Sequence, residues 1–241
     1  MTLQKQELLY EGKAKLVYST TDENIVWIQY KNSATAFNGE KKADITGKGR
    51  LNNEITSLLF SMLTEAGIEN HFIERKSETE QLVKKVSIIP LEVVVRNITA
   101  GSMAKRLGIE EGITLEQPIV EFYYKDDSLG DPLITEDHVQ LLKLATPAEV
   151  DILKHVARKV NAVLSEFFGN KNLRLVDFKL EFGKTEDGRI ILADEVSPDT
   201  CRFWDKDTNE KLDKDVFRRN LGSLTDAYEK ILARIGGEQH V

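Results

Sequence analysis

Two neighbouring segments in the last third of the chain, residues 175–183 and 190–195, constrain the fold more than any other part of the sequence. In the first segment, apolar and charged residues alternate with period two, which is typical of a β-strand with one buried face. The residues between the segments include Thr, Asp and Gly, so an antiparallel hairpin is predicted. Its apolar face would carry Val176, Phe178, Leu180 and Phe182, and its ionic face Asp177, Lys179 and Glu181.

The register of this hairpin decides which carboxylates meet. If Gly183 pairs with Gly188, Asp177 lies opposite Asp194, whereas a register one residue longer places Glu195 opposite Asp177. In both registers like charges face each other, which destabilises a sheet unless a positive group lies between them. Carboxylate oxygens suit Mg²⁺, which usually takes one or two of them from protein. Two interpretations stay open: a divalent cation site, or a solvated strand face neutralised by its own lysine.

The composition is that of an ordinary globular protein. With 241 residues, 41% of them hydrophobic, the chain can bury a core in one large domain or two smaller ones. A net charge of -7 argues against general binding to nucleic acid or anionic membranes. No apolar run is long enough to span a bilayer and no signal-peptide core is present, so a cytoplasmic location is expected. Cys201 is the only cysteine, which excludes an internal disulfide and a thiolate metal cluster.

A glycine turn followed by two lysines lies near the start of the chain. Residues 8–18 are predicted to form a strand, a turn and a second strand, with Gly12, Lys13, Ala14 and Lys15 at the turn. Lysines two apart on a strand point to one side, where they could contact a polyphosphate while glycine lets the backbone approach. An ordinary surface hairpin has the same pattern, so both interpretations stay open.

A second candidate anion site lies where a buried strand, starting at residue 88, runs into a short helix. Ser102 is the predicted N-cap of this helix and Gly108 its C-terminal stop. Free N–H groups at the helix start, together with the guanidinium of Arg96, would suit a phosphate. The alternative is an ordinary capped helix with Arg96 paired to Glu92.

The remaining pattern predicts a β-rich first third and a mixed remainder. Strands are expected over residues 25–30, 71–75 and 81–89, and helices over 48–67, 135–144, 146–169 and 213–235. Residues 196–205 show no regular pattern. The predicted boundary, at residues 85–90, gives a β-rich N-terminal subdomain at 1–87 and an α+β C-terminal subdomain at 88–241.

Two arginines near the start of the last predicted helix, Arg218 and Arg219, are unfavourably placed for the helix dipole. Asp213 and Asp215 could compensate their charge, or the arginines could bind an anionic ligand. The sequence leaves both interpretations open.

Two long segments, residues 88–102 and 176–183, resemble the phosphoribosylaminoimidazole-succinocarboxamide synthase (SAICAR synthetase) family. Residues 10–15, 33–39 and 197–202 are also similar to that family, so the resemblance covers essentially the whole chain. It implies an α+β, ATP-grasp-like fold of two subdomains with the ATP site in the cleft between them. A glycine-lysine hairpin over such a cleft would equally serve a small-molecule kinase, or a nucleotide-binding module without catalysis.

The resemblance implies an ATP-dependent ligase that joins 5-amino-1-(5-phosphoribosyl)imidazole-4-carboxylate to L-aspartate in de novo purine biosynthesis. Because a carboxylate is a poor electrophile, phosphorylation to an acyl phosphate would supply the leaving group. The implied cofactors are ATP and Mg²⁺. The implied partners are these small molecules and a second copy of the chain in a homodimer, with no nucleic acid or membrane.

Roles for individual residues also follow from the resemblance. Mg²⁺ would be held by Asp177, Glu181 and Asp194. The ATP site would include Gly12, Lys13, Ala14, Lys15 and Glu181, with adenine against a hinge at Lys84, Lys85 and Val86. The ribonucleotide phosphate would lie at Arg96, Ser102 and Arg202, and Arg218 would bind a substrate carboxylate. The implied catalytic residues are Lys179, Asp177 and Lys125.

Overall fold

A small antiparallel sheet and one long helix form the first part of the structure, which is a computed structural model describing residues 3–36 and 39–236. The strands of this sheet are β1 (Lys5–Glu11), β2 (Lys15–Thr20), β3 (Ile25–Tyr30), β6 (Phe72–Arg75) and β7 (Glu80–Lys84). Their spatial order is β1–β2–β3–β7–β6. Strands β4 (Ser33–Ala36) and β5 (Lys41–Asp44) form a separate pair, and α1 (Lys48–Glu65) packs on β3, β6 and β7. Phe37 and Asn38, in the family-like segment 33–39, lie outside the described residues.

A larger antiparallel sheet follows. Its strands are β8 (Ser87–Ile98), β9 (Thr114–Tyr124), β10 (Leu133–Ile134), β11 (Leu173–Lys184), β12 (Ile190–Ala193) and β13 (Cys201–Asp205). Their spatial order is β10–β9–β8–β11–β12, and β13 also pairs with β11. The helices after α1 are α2 (Gly101–Leu107), α3 (Glu136–Leu141), α4 (Pro147–Gly169), α5 (Asp215–Arg218) and α6 (Leu224–Ile235). The fold is therefore mixed α and β. Within the described ranges, no helix combines the length and apolar character needed to cross a membrane.

The larger sheet has one apolar face and one charged face. Val93 and Val95 of β8 and Leu180 of β11 are buried in the main core, where α4 packs against the sheet. Arg96 of β8 and Lys179 of β11 project from the opposite face, as the period of two requires. The predicted alternation along Asp177 to Phe182 is confirmed. This charged face carries the candidate site.

Val176 departs from the predicted alternation. The register between β11 and β13 shifts between Leu175 and Asp177, so the strand is irregular at this residue. Val176 is buried with Ile98, Ala100 and Trp204 in a cluster separate from the core that contains Phe178.

Both predicted registers of the acidic hairpin are wrong. Glu181 pairs with Ala193 and Lys184 with Ile190, so residues 185–189 connect the two strands. Within this connection Thr185 N donates to Arg189 O at 2.9 Å. Strand β12 ends before Asp194, and Asp177 lies opposite Arg96 of β8 and Arg202 of β13. Opposite charges therefore meet at Asp177, where like charges were expected.

Three further expectations about elements need correction. The strand predicted over residues 81–89 is two strands, β7 in the small sheet and β8 in the large one. Residues 201–205, predicted to lack regular structure, form β13. The last predicted helix is divided into α5 and α6, because Asn220 and Gly222 have positive φ angles of 55° and 153°. Ser223 then caps α6 by accepting a hydrogen bond from Asp226 N at 3.2 Å.

The division at residues 87 and 88 stays a prediction. The two sheets do separate between Lys84 and Ser87, but one hydrophobic core includes apolar residues of α1 together with residues of α4 and the larger sheet. The helices predicted at Lys48 and at Thr146 begin as expected. At the second, Thr146 and Glu149 form the predicted capping box, with Pro147 in the first turn.

Candidate active site

The charged face of the larger sheet forms the floor of a pocket of about 350 Å³. Its walls come from the glycine-lysine turn, from the β4–β5 pair and from the segments before β13 and at α5. Positive side chains outnumber negative ones in the lining, which suits anionic ligands. Seven of the predicted site residues line this pocket: Lys13, Arg96, Ser102, Asp177, Lys179, Arg202 and Arg218.

Four arginines and three carboxylates alternate in a continuous series of ion pairs that crosses this floor and extends beyond it, which we call the arginine-carboxylate chain. Each internal member contacts the member before it and the member after it, so every guanidinium is oriented by at least one carboxylate. In order, the members are Arg106, Glu121, Arg96, Asp177, Arg202, Asp215 and Arg218.

Asp177 is the centre of this chain. Its Oδ2 atom accepts from Arg96 Nη1 at 2.7 Å and from Arg202 Nη1 at 2.9 Å. Burial alone would lower the pKa of Arg96, but the charges of Asp177 and Glu121 outweigh it and raise that pKa. Both arginines are therefore permanent cations held by the sheet, and the alternative in which Arg96 pairs with Glu92 is wrong.

The predicted N-cap role of Ser102 is also wrong, because Ala100 occupies that position and α2 begins at Gly101. Ser102 Oγ instead accepts from Arg96 Nη2 at 3.2 Å. Gly101 has a φ angle of +53°, and a Cβ atom there would lie 2.5 Å from Arg202 Nη2. Glycine therefore lets the Arg202 guanidinium pack on the backbone, and Ser102 faces the same pocket.

A second group of charges adjoins the first at Lys179. Glu181 lies opposite Glu92 in the β8–β11 register, and Lys179 Nζ contacts these carboxylates at 2.6 and 3.0 Å. The same ammonium lies 3.8 Å from Asp194 Oδ2. Lys125 Nζ is 2.9 Å from Glu181 Oε1. Like charges therefore meet at Glu181 and Glu92 rather than at Asp177, where they were expected, and Lys179 is the positive group between them.

Lys15 completes this lysine-carboxylate group. It pairs with Asp194, and its Nζ atom is 3.0 Å from Glu195 Oε1. Burial alone would lower the pKa of Lys15 and of Lys179, but the neighbouring carboxylates raise both well above the ordinary lysine value. Burial opposes ionisation of Asp194, yet the charges of Lys15 and Lys179 hold its pKa well below the usual range. These groups are therefore charged near neutral pH.

The three predicted metal ligands do not converge. Among the residues that the structure describes, no three His, Cys, Asp or Glu side chains are placed to hold one metal ion. Asp177 is engaged by arginines, whereas Glu181 and Asp194 share contact with Lys179. Two carboxylates that lie close enough to share one ammonium group would still suit Mg²⁺, because this ion usually combines one or two protein carboxylates with phosphate and water. The contacts thus favour Glu181 and Asp194 over Asp177.

The predicted nucleotide-binding segments lie beside these groups. At the turn, Gly12 N donates to Lys15 O at 2.8 Å, and Lys13 Nζ lies 2.7 Å from Asp127 Oδ1. Lys13 and Lys15 thus contact different carboxylates. Ala14 O accepts from a backbone N–H of Lys31 at 2.8 Å, which fixes the turn on the small sheet.

The segment at residues 84–86 joins the two sheets. Lys84 N donates to His71 O and Lys85 N donates to Asn24 O, each at 2.7 Å. Val86 packs against Gly183 of β11, where a Cβ atom would lie only 2.3 Å from Val86 Cγ2. The short connection therefore contacts both sheets.

Several pocket residues were not assigned a role from the sequence. Tyr123, Asp199, Thr200 and Lys214 all line the pocket, and Tyr123 OH accepts from Arg96 Nη2 at 3.0 Å. Asp199 lies in the family-like segment 197–202, which was one available signal. Asp215 was considered only as compensation for the arginines of the last helix, and it does accept from Arg218 Nη1 at 2.7 Å. Cys201 also faces the pocket, but burial raises the pKa of its thiol, so it is a poor nucleophile.

Comparison with known proteins agrees with this geometry. The model of the SAICAR synthetase family matches residues 8–235. The phosphoribosylaminoimidazole-succinocarboxamide synthase of Bacillus subtilis (strain 168) is 68% identical over 241 residues, which cover 100% of both chains. The crystal structure of the corresponding synthase from Ehrlichia chaffeensis has a TM-score of 0.94 and 46% identity, covering 97% of this chain and 100% of that one.

A second solved structure is described as a SAICAR synthetase (Type-2) in complex with ADP. It has a TM-score of 0.94 and 48% identity to this chain, and the alignment covers 98% of this chain and 100% of that chain. The match therefore extends over nearly the full length in sequence and in structure. The chain belongs to the SAICAR synthetase family.

Proposed function

We propose that the pocket binds the imidazole carboxylate ribonucleotide and ATP side by side and ligates the ribonucleotide to L-aspartate. Membership of the SAICAR synthetase family makes the chain an ATP-dependent ligase that forms the succinocarboxamide in purine biosynthesis. One observation carries the proposed arrangement: an arginine-rich group and a lysine-carboxylate group meet at Lys179 on one sheet face. Two anionic reactants could therefore approach each other there.

The arginine-rich group is the proposed site of the ribonucleotide phosphate. Arg96 and Arg202 present guanidinium groups that carboxylates already orient, and Ser102 adds a hydroxyl next to Arg96. A bidentate guanidinium matches the geometry of phosphate oxygens. Arg218, at the end of the arginine-carboxylate chain, is proposed to contact a substrate carboxylate.

The lysine-carboxylate group is the proposed site of the ATP phosphates, in an ATP-grasp-like cleft between two subdomains. Lys13 and Lys15 would lie along the phosphates, with the backbone of Gly12 and Ala14 beside them. Adenine would lie against Lys84, Lys85 and Val86. The solved relative described as a complex with ADP supports nucleotide binding in this fold. Mg²⁺, held by Glu181 and Asp194, would neutralise phosphate charge when bound.

The chemistry follows from the charges of the chain's own side chains. Lys179 is proposed to lie beside the substrate carboxylate while that carboxylate attacks the terminal phosphate of ATP and ADP leaves. The raised pKa of Lys179 makes it a cation rather than a general base. Lys125, bound to Glu181, would add positive charge during the transfer. Asp177 would act by orienting Arg96 and Arg202. The neutral amine of L-aspartate could then attack the acyl carbon of the acyl phosphate, so that the amide bond forms and inorganic phosphate leaves. The amine proton would be released to phosphate or solvent without a dedicated base.

A coupled assay of ADP formation tests this function. ADP release should require both the imidazole carboxylate ribonucleotide and L-aspartate, and omission of either substrate is the matched control. Steady ADP production with an unrelated hydroxyl compound in place of both would instead indicate a kinase. The homodimer and the cytoplasmic location stay predictions, and sedimentation velocity would test the first.

A further inference from the structure

A lysine at the start of α1 is fully buried. Lys48 has a relative exposure of 0% and is the first residue of its helix. Both features disfavour a cation, because burial removes its hydration and the N-terminal end of a helix carries partial positive charge. A lysine at this position therefore needs a specific partner.

That partner is Asp199, which lines the pocket. Lys48 Nζ lies 2.6 Å from Asp199 Oδ2, and the hydroxyl of Tyr228 donates to Asp199 Oδ1 at 2.6 Å. On the pocket side, Lys214 Nζ lies 3.5 Å from the same Oδ2 atom. Asp199 and Lys214 belong to the pocket lining, whereas Lys48 approaches the carboxylate from behind the wall.

The charges of Lys48, Asp199 and Lys214 do not sum to zero. Lys48 and Asp199 neutralise each other, so the positive charge of Lys214 remains for the pocket. Burial opposes ionisation of Asp199, but the two lysines hold its pKa well below the usual range. Burial lowers the pKa of Lys214, and the charges of Lys48 and Arg218 lower it further against the attraction of Asp199. The lowered pKa of Lys214 reflects a positive charge that Asp199 compensates only in part.

We propose that Lys48 is a positioning residue that neutralises Asp199 and so leaves the Lys214 ammonium available to bind an anionic group of a substrate. Without Lys48, Asp199 would take Lys214 as its main counterion, and the wall would lose its net positive charge. The inference rests on the proposed function, because it concerns the same pocket. The chemistry is that of an oxyanion, supplied either by a carboxylate of L-aspartate or by the ribonucleotide.

Lys48→Met tests the proposal, because methionine keeps the length and removes the charge. We expect the KM of L-aspartate or of the ribonucleotide to rise about tenfold, while kcat at saturation and the KM of ATP change by less than about twofold. Which KM rises identifies the source of the oxyanion. Unchanged KM values for both substrates, or an equal rise for ATP, would overturn the proposal.

Two matched variants separate charge compensation from packing. Tyr228→Phe removes a neutral hydrogen bond from the same carboxylate, and we expect both KM values to stay within about threefold of the parent. Adding Asp199→Asn to Lys48→Met removes the negative charge that would capture Lys214, so the raised KM should fall again. A double variant no better than Lys48→Met would contradict the charge argument.

Lys214→Gln provides a test that does not depend on the buried lysine. Its side chain borders the pocket, so the fold should tolerate the change even if Lys48→Met does not fold. The same substrate KM should rise about tenfold, and unchanged values would overturn the proposal. Activity of the parent enzyme with its two substrates tests the proposed function separately.

Discussion

At the scale of single residues, Arg96 shows how one side chain can be oriented by several neighbours. Its guanidinium contacts Glu121, Asp177, Ser102 and Tyr123. These contacts come from β9, β11 and α2, so three elements determine where the positive charge lies. A ligand phosphate would meet donors whose directions are already determined.

Replacement of this guanidinium should affect one ligand more than the other. We expect Arg96→Ala to weaken ribonucleotide binding by about 2–3 kcal/mol and to affect ATP binding much less. Arg106→Ala is the control, because Arg106 pairs with Oε1 of Glu121, whereas Arg96 pairs with Oε2, and Arg106 is not among the residues that line the pocket. Isothermal titration calorimetry would measure both ligands, and an equal loss of affinity for each would contradict the assignment.

Strand alternation placed Lys179 on the ionic face, the strand-to-helix junction indicated Arg96, and resemblance to the family implied Arg202. The partners of these residues were harder to predict. Asp177 was expected beside a carboxylate of its own hairpin, but it lies opposite Arg96 of β8 and Arg202 of β13. No local pattern predicts the pairing of β11 with these two strands. Lys48 and Asp199 are 151 residues apart, and no local pattern relates such positions.

At the scale of elements, Gly183 allows β11 to approach the connection between the sheets. A Cβ atom at this position would lie 2.3 Å from Val86 Cγ2 and 2.7 Å from Val86 Cβ. Such distances require either side-chain or backbone movement. The segment predicted to contact adenine therefore depends on the absence of a side chain in the neighbouring strand.

Gly183→Ala should lower the free energy of unfolding by about 1–3 kcal/mol through overpacking against Val86. Val86→Ala in the same chain removes the closest atom but keeps Cβ, so it should relieve part of the effect. Urea unfolding of the two single variants and the double variant measures this coupling. Strictly additive changes would show that the two residues do not compete for space.

Elements with strong local signals were predicted well, and those determined by distant contacts were not. Helix α4 begins at its capping box and ends at Gly169, as apolar periodicity indicates. Periodicity alone also joined α5 to α6, although positive φ angles at Asn220 and Gly222 divide them. Strand β13 was missed because its five residues form a strand through pairing with β11 rather than through a local pattern.

At the scale of the whole molecule, the two sheets are joined by backbone contacts at His71. His71 N donates to Leu192 O at 2.9 Å, and Leu192 N donates to Glu69 O at 3.1 Å. His71 is only 3% exposed, and burial lowers the pKa of its imidazole to about 3, with Lys15 adding to the effect. The junction between the sheets therefore contains a neutral histidine.

This histidine should make stability depend on pH. The unfolded chain binds the extra proton near pH 6.5, whereas the folded chain resists protonation until about pH 3. The contribution of His71 to the free energy of unfolding is complete above about pH 6.5. This free energy should fall by up to about 1.4 kcal/mol per pH unit as the pH decreases from about 6.5 toward about 3. Denaturant unfolding between pH 7 and pH 5, without nucleotide or divalent cation, measures the slope.

His71→Gln should flatten this dependence because glutamine does not titrate. His155→Gln, on the exposed side of α4, is the control and should keep the slope of the parent because it leaves His71 in place. A His71→Gln protein with the same slope would assign the pH dependence to other groups.

The arginine-carboxylate chain has a consequence for the entropy of association. A free arginine side chain carries about 2 kcal/mol of rotamer entropy. In this protein, ion pairs already restrict Arg96, Arg202 and Arg218 when the chain folds. Ligand binding therefore removes little additional side-chain freedom, and a phosphate can be recognised without first ordering the groups that hold it.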